Sequence, residues 1–458
     1  MEAINDFFAT VSSFLWGWPM IIMLLGTHLF LTIRLRFPQR KIFTAIRLSV
    51  SRDKGASGDV SQFGALATAL AATIGTGNII GVATAVALGG PGAVLWCWLT
   101  GVFGISTKYA EGLVAVKYRV KTKDGRMLGG PMYALERGVH CKWLAICFAL
   151  FATIASFGIG NTVQANAIST MVGQVFGVPL WVTGLVLAVL GAAVILGGVK
   201  SIAKVCSMLV PFMAIFYVLG CIYILCVNHA YVWPAIKTIV EAAFSPRAAG
   251  GGFAGTTVMM ACRYGIARGL FSNESGLGSA PIVAAAAKTR NPVRQALVSS
   301  TGTFWDTVVI CALTGIVIVS SIIAYPDIDV HDGAALTKAA FGKIPYVGTP
   351  LLTFGLITFA FSTILGWSYY GERCVEYLKG HRWMLAYRVV FIIGIFVGSI
   401  VSLGLVWNVA DCMNAFMAIP NLLSLILLSG IIVHETRKYL WRGRLDRNMD
   451  DEELAEVE

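Results

Sequence analysis

The sequence predicts an all-α integral membrane protein with eleven transmembrane helices. One extra N-terminal helix precedes a five-plus-five inverted repeat whose first and sixth core helices are broken. Three observations predict this class. The chain is 57% hydrophobic and only 13% charged, with a mean hydropathy of +0.75, which exceeds what a soluble domain needs. It contains eleven long apolar runs. Two of these runs, five helices apart, are interrupted by glycines and polar residues.

The apolar runs define the domain organisation, because about 20 apolar residues span a bilayer core. They lie at residues 14–33, 63–89, 92–117, 143–174, 180–197, 203–227, 253–287, 296–323, 348–371, 385–404 and 408–434. We predict four parts: residues 1–62 with the outer N-terminus, the extra helix and a basic loop, residues 63–227 and 253–434 as the two five-helix repeats, and residues 435–458 as a cytoplasmic tail.

The Lys and Arg residues orient these helices, because they accumulate in cytoplasmic loops. If the first helix runs inward, 28 of the 35 Lys and Arg residues fall on the cytoplasmic side. The outer loops then hold only Lys237, Arg247, Lys338 and Lys343. We therefore predict an outer N-terminus and a cytoplasmic C-terminus.

Charge and cysteine usage exclude several other classes. The net charge of +11 comes from residues between apolar runs, so topology accounts for it and no nucleic-acid partner is expected. Ten cysteines form no Cys-x-x-Cys pair, and six histidines form no His-Glu-x-x-His motif. We predict neither a disulfide framework, nor a metal site of these residues, nor an enzyme active site.

The first break is GTGN, Gly75 to Asn78. Backbone groups freed at membrane depth persist only where protein, a polar cavity or a ligand satisfies them. The half-helix ending near Ala71 to Ile74 offers carbonyls that suit Na⁺ or an ammonium group. The half-helix beginning at Thr76, Gly77 and Asn78 offers N–H groups that suit a carboxylate. The alternative is that these small residues only pack helices.

The second break is FSNESGLGS, Phe271 to Ser279, in the seventh predicted helix. Five helices after the first break, this helix crosses in the opposite direction, which is typical of inverted repeats. Ser272 and Asn273 are candidates to touch a ligand, with Phe271 as an apolar wall. Glu274 is compatible with a protonatable coupling role. We favour a structural clamp, because a free carboxylate would repel a carboxylate-bearing substrate.

Further polar side chains lie at membrane depth in unbroken helices. Asn161 and Gln164 are three residues apart and can face one side, although hydrogen bonding between helices is an alternative. Ser362 and Thr363 offer hard oxygen donors suited to Na⁺, although such hydroxyls often bond only their own helix. Trp367 lies one turn beyond Thr363 and can cap a small cavity.

Asp306, Lys108 and Glu111 are further charged residues inside apolar runs. Asp306 is compatible both with pairing to a membrane Arg and with binding an ion. Lys108 and Glu111 are three residues apart near the inner end of the third helix. We predict that they form a local ion pair at the membrane interface.

These motifs resemble the alanine/glycine:cation symporters, which are sodium-coupled amino-acid carriers of prokaryotes. The resemblance rests on GDVSQFGALATALAATIGTGNIIGVATAVALGGPGAVLWCW, KYAEGLVAVKYR, GGPMYAL, GIGNTVQAN and RGLFSNESGLGSAPI, in order from about residue 58 to 290. It implies the leucine-transporter-type fold, a prokaryotic plasma membrane, and transport of alanine or glycine with Na⁺.

The resemblance also implies ligand sets for the ion and the substrate. A sodium ion would bind oxygen atoms of Ala71, Ile74, Phe359, Ser362 and Thr363. The substrate carboxylate would lie on N–H groups around Thr76 to Asn78. Its ammonium group would meet Gly269 to Ser272 together with Asn161 or Gln164.

We therefore expect a Na⁺-driven symporter for a small neutral amino acid, working by alternating access in the lipid bilayer. Phe271 and Trp367 would favour alanine or glycine over leucine. The alternative is a proton-coupled carrier with Glu274 or Asp306 as the relay, and a small-solute channel is more remote. The sequence leaves the oligomeric state open.

Overall fold

The computed structural model describes residues 2–51, 56–245, 257–330, 333–401, 404–449 and 455–457. The α-helices are α1 Glu2–Leu15, α2 Trp18–Arg34, α3 Ile42–Ser49, α4 Gln62–Thr73, α5 Val82–Gly89, α6 Ala93–Lys117, α7 Pro131–Tyr133, α8 Lys142–Phe157, α9 Val163–Phe176, α10 Leu180–Ile195, α11 Gly198–Val227, α12 His229–Phe244, α13 Val258–Asn273, α14 Pro281–Ala284, α15 Pro292–Thr303, α16 Ala312–Ala324, α17 Gly333–Gly342, α18 Gly348–Lys379, α19 Met384–Ile400, α20 Gly404–Leu427 and α21 Ser429–Thr436. Three short strands, β1 Val120–Thr122, β2 Met127–Leu128 and β3 Ala455–Val457, form one sheet in the order β2-β1-β3.

Each predicted apolar run contains a helix, but fewer helices are long and apolar enough to span a membrane by length and composition. Among the described residues there are seven: Ala3–Arg34, Lys142–Phe176, Gly198–Val227, Pro292–Ala324, Gly348–Lys379, His381–Ile400 and Gly404–Leu427. The pair Gln62–Thr73 and Gly77–Gly89, bent by 54°, makes an eighth if it is one span.

The other three predicted runs contain α6, α10 and α13, and each is shorter or more polar than these spans. α6 carries Lys108 and Glu111 in its second half. α10 has 16 residues, and α13 ends at the second break. Polar residues are tolerated here because neighbouring helices, rather than lipid, surround them.

Some elements were not predicted. α12 and α17 lie in predicted outer loops, while α3 and the β1–β2 hairpin lie in predicted cytoplasmic ones. α12 is amphipathic: Ala235 and Ile239 are buried, whereas Trp233 is exposed. Such a helix escapes a search for continuous apolar runs, because its apolar residues occupy one face only.

The two breaks lie at the centre of the helix packing. α4 packs against α11 and α18, and α13 packs against α5 and α6. Three segments around the breaks wind as π-helical turns, namely Gly77–Gly81, Gly158–Thr162 and Phe304–Cys311. Such turns free backbone groups and are frequent at functional sites.

Candidate functional site

The first break separates two half-helices. α4 is capped by Ser61, whose hydroxyl accepts the N–H of Gly64 at 2.9 Å, and it ends at Thr73, which extended Ile74 follows. The chain resumes as the π-helical turn Gly77–Gly81, which leads into α5. Because the half-helices are bent by 54°, the free carbonyls of one and the free N–H groups of the other meet inside the protein.

Asn78 holds this break together. Its Oδ1 accepts the N–H of Gly75 at 2.9 Å, and its Nδ2 donates to Asp306 Oδ1 at 2.7 Å. The N–H groups of Thr76 and Gly77 begin the next half-helix, and in the described part of the chain they meet no protein acceptor. Thr76 and Gly77 therefore offer donors to a ligand, whereas the Asn78 side chain is already used by the protein.

Five neutral oxygen atoms converge between the first break and α18. Ser362 Oγ lies 2.8 Å from the carbonyl oxygen of Phe359 and 3.1 Å from that of Ala71. Thr363 Oγ1 lies 3.0 Å from the carbonyl oxygen of Phe359 and 3.4 Å from that of Ile74. All five residues are buried. The structure thus brings together the five residues for which the family resemblance implied a sodium-binding role.

The spacing of these oxygens suits a hard cation. Oxygen ligands about 2.4 Å from a hard ion stand about 3.4 Å apart when they lie at right angles. The observed separations of 2.8 to 3.5 Å are close to this value and are those of hydrogen bonds that the Ser362 and Thr363 hydroxyls donate to carbonyls of α18 and of the first break. Within the described ranges, no group of three or more His, Cys, Asp or Glu residues is arranged to hold a metal ion. The cluster therefore fits a monovalent ion better than a transition metal, because its donors are hard and neutral.

Gly75 allows the break to approach α18 closely. A Cβ atom at this position would lie 2.6 Å from Thr363 Oγ1, too close for any side chain. Gln164 reaches the same place, since its Oε1 would lie 3.5 Å from that Cβ. Its Nε2 donates to the carbonyl of Ile159 at 3.0 Å, while its Oε1 has no partner among the described residues. Gln164 thus presents a free acceptor to the break.

Asn161 does not join Gln164 at the break. Its Nδ2 donates to the carbonyl of Phe391 in α19 at 2.7 Å. Asn161 lies within the π-helical turn Gly158–Thr162, which winds more widely than an α-helix, whereas Gln164 follows that turn in α9. The expectation that residues three apart share a face fails here, and Asn161 instead makes a hydrogen bond between helices.

The second break turns at Glu274, which follows α13 in the left-handed conformation with φ 53°. Its carboxylate accepts the hydroxyl of Ser279 and, at 3.0 Å, the indole N–H of Trp367. Glu274 therefore fastens both ends of the break to α18, which is the geometry of a clamp. Trp367 is buried and packs edge-on against Tyr370 at 5.6 Å, so its indole supports this clamp.

Asp306 connects the two breaks. Its Oδ2 accepts the hydroxyls of Ser272 at 3.0 Å and Thr307 at 2.6 Å, while its Oδ1 accepts the Asn78 amide. One residue of each break thus donates to the same buried carboxylate. Its hydrogen-bond donors among the described residues are neutral, so of the two alternatives for Asp306, pairing with a membrane Arg is the one that the structure does not contain.

Two other predicted contact residues of the second break face α6. A Cβ atom at Gly269 would lie 2.2 Å from Thr100 Oγ1, so this glycine serves close helix packing. Asn273 Oδ1 accepts the N–H of Ser275 at 2.9 Å, and its Nδ2 lies 3.4 Å from Thr100 Oγ1. Both residues shape the break rather than face a cavity.

Glu111, in α6, binds the second break, a contact that the sequence did not predict. Its Oε1 accepts the N–H groups of Gly276 and Gly278 at 3.0 and 3.1 Å and the Asn421 amide at 2.8 Å. Lys108 Nζ lies 3.9 Å from its other oxygen, and both side chains are buried. The predicted ion pair is present, and neighbouring helices bury both of its side chains, because the N–H groups freed at the second break bind the Glu111 carboxylate. The signal was a Glu within an apolar helix.

A cavity of about 240 Å³ lies beside the first break, on the side where the half-helix that leads into α5 begins. Thr76 and Gly77 line it together with Phe271, the wall that was predicted, and with Arg268 and Asp411, which were not. The cavity is small beside the roughly 300–1,000 Å³ of pockets that hold drug-sized ligands. It therefore suits a small polar ligand.

Comparison with known proteins adds to this geometry. The profile of the sodium:alanine symporter family matches residues 1–453. The chain belongs to this family. It is accordingly a transporter and not an enzyme.

Two relatives show how much sequence is shared. The chain is 52% identical over 438 residues to the sodium/alanine symporter AgcS of Methanococcus maripaludis. The aligned region covers 94% of this chain and 96% of that relative. It is 36% identical over 440 residues to the putative sodium/proton-dependent alanine carrier protein YrbD of Bacillus subtilis, with 93% and 90% covered.

A solved structure shows the fold. The crystal structure of MhsT in complex with L-phenylalanine is 14% identical, has a TM-score of 0.52, and matches 83% of this chain and 98% of that one. The prediction of an all-α, multi-span membrane protein with the leucine-transporter-type fold is confirmed at this level.

Proposed function

We propose that this protein is a Na⁺-driven symporter that imports a small neutral amino acid, alanine or glycine, by alternating access. The observation that carries the proposal is the cluster of five neutral oxygens between the first break and α18. The family and the relative AgcS are both named for sodium and alanine, which supports this ion and one of the two substrates.

The ion is bound where two separate segments meet. The first break supplies the carbonyls of Ala71 and Ile74, and α18 supplies the Phe359 carbonyl with the hydroxyls of Ser362 and Thr363. Without a cation, the contacts between these oxygens are hydrogen bonds donated by the hydroxyls of Ser362 and Thr363. A sodium ion satisfies all five and draws α18 onto the break.

The substrate lies on the other side of the break, in the small cavity. Its carboxylate accepts the N–H groups of Thr76 and Gly77 at the positive end of a half-helix. We propose that its ammonium group reaches the free Oε1 of Gln164, which lies beside Gly75 rather than in the lining of the cavity. Phe271 bounds the side chain, which favours alanine or glycine over leucine.

The proposed topology has eleven crossings, with the N-terminus outside and the C-terminus in the cytoplasm of a prokaryotic cell. The extra helix precedes two inverted repeats, residues 63–227 and 253–434. The sodium ligands then come from both repeats, so a rocking motion of one against the other changes their separation. Ion and substrate stabilise the same arrangement, and each raises the affinity for the other.

Uptake by purified protein in liposomes tests this proposal. An inward Na⁺ gradient is expected to drive accumulation of labelled alanine above its external concentration, because transport of the ion and the substrate is coupled. With K⁺ in place of Na⁺, uptake is expected to equal that of protein-free liposomes. Equal uptake in both buffers would contradict sodium coupling.

A proton-coupled carrier is the second candidate, because Glu274 and Asp306 are buried carboxylates with neutral hydrogen-bond donors. If sodium drives transport, Glu274→Gln and Asp306→Asn retain Na⁺-driven uptake, since amides can replace most of these hydrogen bonds. Alanine accumulation driven by a pH gradient without Na⁺, and lost in either variant, would instead support the proton mechanism.

A further inference from the structure

A second, larger cavity of about 1070 Å³ lies among segments that the proposed topology places at the cytoplasmic face. The β1–β2 hairpin forms one wall. The π-helical turn Ala134–Gly138 and the start of α8 form another, and the last turns of α18 complete the lining. This lining shares no residue with that of the small cavity beside the first break, so the two are separate features of the molecule.

The charged side chains of this second cavity are mostly basic. Five are Lys or Arg and three are carboxylates, namely Lys123, Arg126, Arg137, Lys142 and Lys379 against Asp124, Glu136 and Glu376. The protein itself pairs all three carboxylates. Arg126 lies 2.6 Å from Glu376 and 3.5 Å from Asp124, and Lys142 lies 3.5 Å from Glu136. The lining therefore keeps a positive charge that its own carboxylates do not balance.

Arg137 and Lys379 carry part of this unbalanced charge. Within the described residues, neither side chain makes an ion pair or a hydrogen bond. Arg137 is half-buried in the π-helical turn before α8, and Lys379 is the exposed last residue of α18. A guanidinium group presents several donors in one plane, which matches the oxygens of a phosphate group. Two such cations in the lining of one cavity fit a phosphate ligand.

The same cavity continues onto an exposed apolar face of α8. Ile146 and Leu150, one helical turn apart, both line it and are 42% and 47% exposed. Trp143 at the start of this helix is 69% exposed, which is typical of a residue at the level of lipid headgroups. A soluble phosphate compound would leave these apolar side chains uncovered, whereas the acyl chain of a lipid covers them. The lining therefore favours a lipid over a soluble phosphate.

We propose that this cavity binds one anionic phospholipid of the cytoplasmic leaflet, with its phosphate on Arg137 and Lys379 and an acyl chain along Ile146 and Leu150. Basic pockets beside membrane helices on the cytoplasmic side suit anionic headgroups. The lipid contacts the β1–β2 hairpin, α8 and the end of α18, and it stabilises their packing. The choice of leaflet rests on the proposed orientation of the helices, whereas the binding itself does not depend on transport.

Thermal unfolding of the full chain in detergent tests this site. Phosphatidylglycerol is expected to raise the thermal midpoint by about 2 °C or more beyond the effect of phosphatidylcholine with the same acyl chains, because a ligand of the folded state stabilises it by mass action. The double variant Arg137→Gln, Lys379→Gln should need an at least about tenfold higher phosphatidylglycerol concentration for half of this effect, since two headgroup contacts are lost. It is expected to fold, because neither side chain bonds to another described residue.

The matched control is Lys121→Gln with Arg382→Gln. It removes the same charge from two exposed residues near the same cavity that do not line it, and it should keep the response of the parent chain to phosphatidylglycerol. Glycerol phosphate at the same phosphate concentration should not raise the midpoint. A rise as large as that given by the lipid would identify a soluble phosphate ligand and overturn the inference.

Equal effects of the two lipids on the parent chain, or an unchanged response in the Arg137→Gln, Lys379→Gln variant, would also overturn it. The acidic C-terminal tail is the competing occupant, because its strand β3 pairs with β1 from Val120 to Thr122. If phosphatidylglycerol has no specific effect and removal of residues 450–458 lowers the midpoint, the cavity belongs to the tail. Lipid binding by a chain that does not transport alanine would contradict the proposed function alone.

Discussion

Replacing Ser362 and Thr363 together by alanine is expected to abolish Na⁺-dependent alanine binding at Na⁺ concentrations that saturate the parent protein. The change removes two of the five clustered oxygens. Each lost ligand costs about 1–3 kcal/mol, or about tenfold to a hundredfold in affinity. Thr363→Ala alone should raise the half-saturating Na⁺ concentration about tenfold. Titration of alanine binding with Na⁺ measures both effects.

Thr358→Ala is the matched control for these variants. Thr358 lies on the same helix, and its hydroxyl lies 2.8 Å from the carbonyl of Phe354 and 3.2 Å from that of Gly355, both in its own helix. The variant should therefore keep the parent's Na⁺ requirement. If the double variant also keeps it, the ion does not bind at this cluster.

The second large effect is expected for Asn78→Ala, which should abolish alanine uptake. The change removes the hydrogen bonds that the Asn78 side chain makes to the Gly75 N–H and to Asp306 Oδ1, and both of these groups are buried. Each unsatisfied group costs about 1–3 kcal/mol. The thermal midpoint should fall by several degrees, and sodium-dependent alanine binding should be lost even at temperatures where the protein remains folded.

Asn228→Ala is the control for this prediction. Asn228 is also buried, but it lies at the end of α11, far along the chain from both breaks. Its amide lies 3.4 Å from Ser321 Oγ in α16. Uptake should persist in this variant. Full uptake by Asn78→Ala would show that the first break does not need its side-chain clamp.

The sequence predicted the parts of the site that depend on local chemistry. GTGN predicts a break because glycines and amides are unfavourable in a continuous membrane helix. Ser362 and Thr363 were candidates because their hydroxyls are hard oxygen donors in the middle of an apolar run. Their meeting with the carbonyls of Ala71 and Ile74 came from the resemblance to a known family, since helix packing across 288 residues leaves no local pattern.

The remaining contacts could not be predicted, because they depend on helix phase and on tertiary neighbours. The π-helical turn at Gly158–Thr162 directs the Asn161 side chain to α19. The spacing of residues in the sequence does not predict such a turn. Glu111 was expected to pair with Lys108 at the interface because both residues lie near the inner end of the third predicted helix. Its actual partners, Gly276 and Gly278, are over 160 residues away and become available only when the second break forms.

The most direct test of the central claim is the dissociation constant of alanine for the purified protein, measured at several Na⁺ concentrations with K⁺ keeping the ionic strength constant. Coupling through the first break predicts that the alanine Kd falls as Na⁺ rises. It also predicts that saturating alanine lowers the half-saturating Na⁺ concentration by the same factor. An alanine Kd that is equal in Na⁺ and in K⁺ would contradict the account.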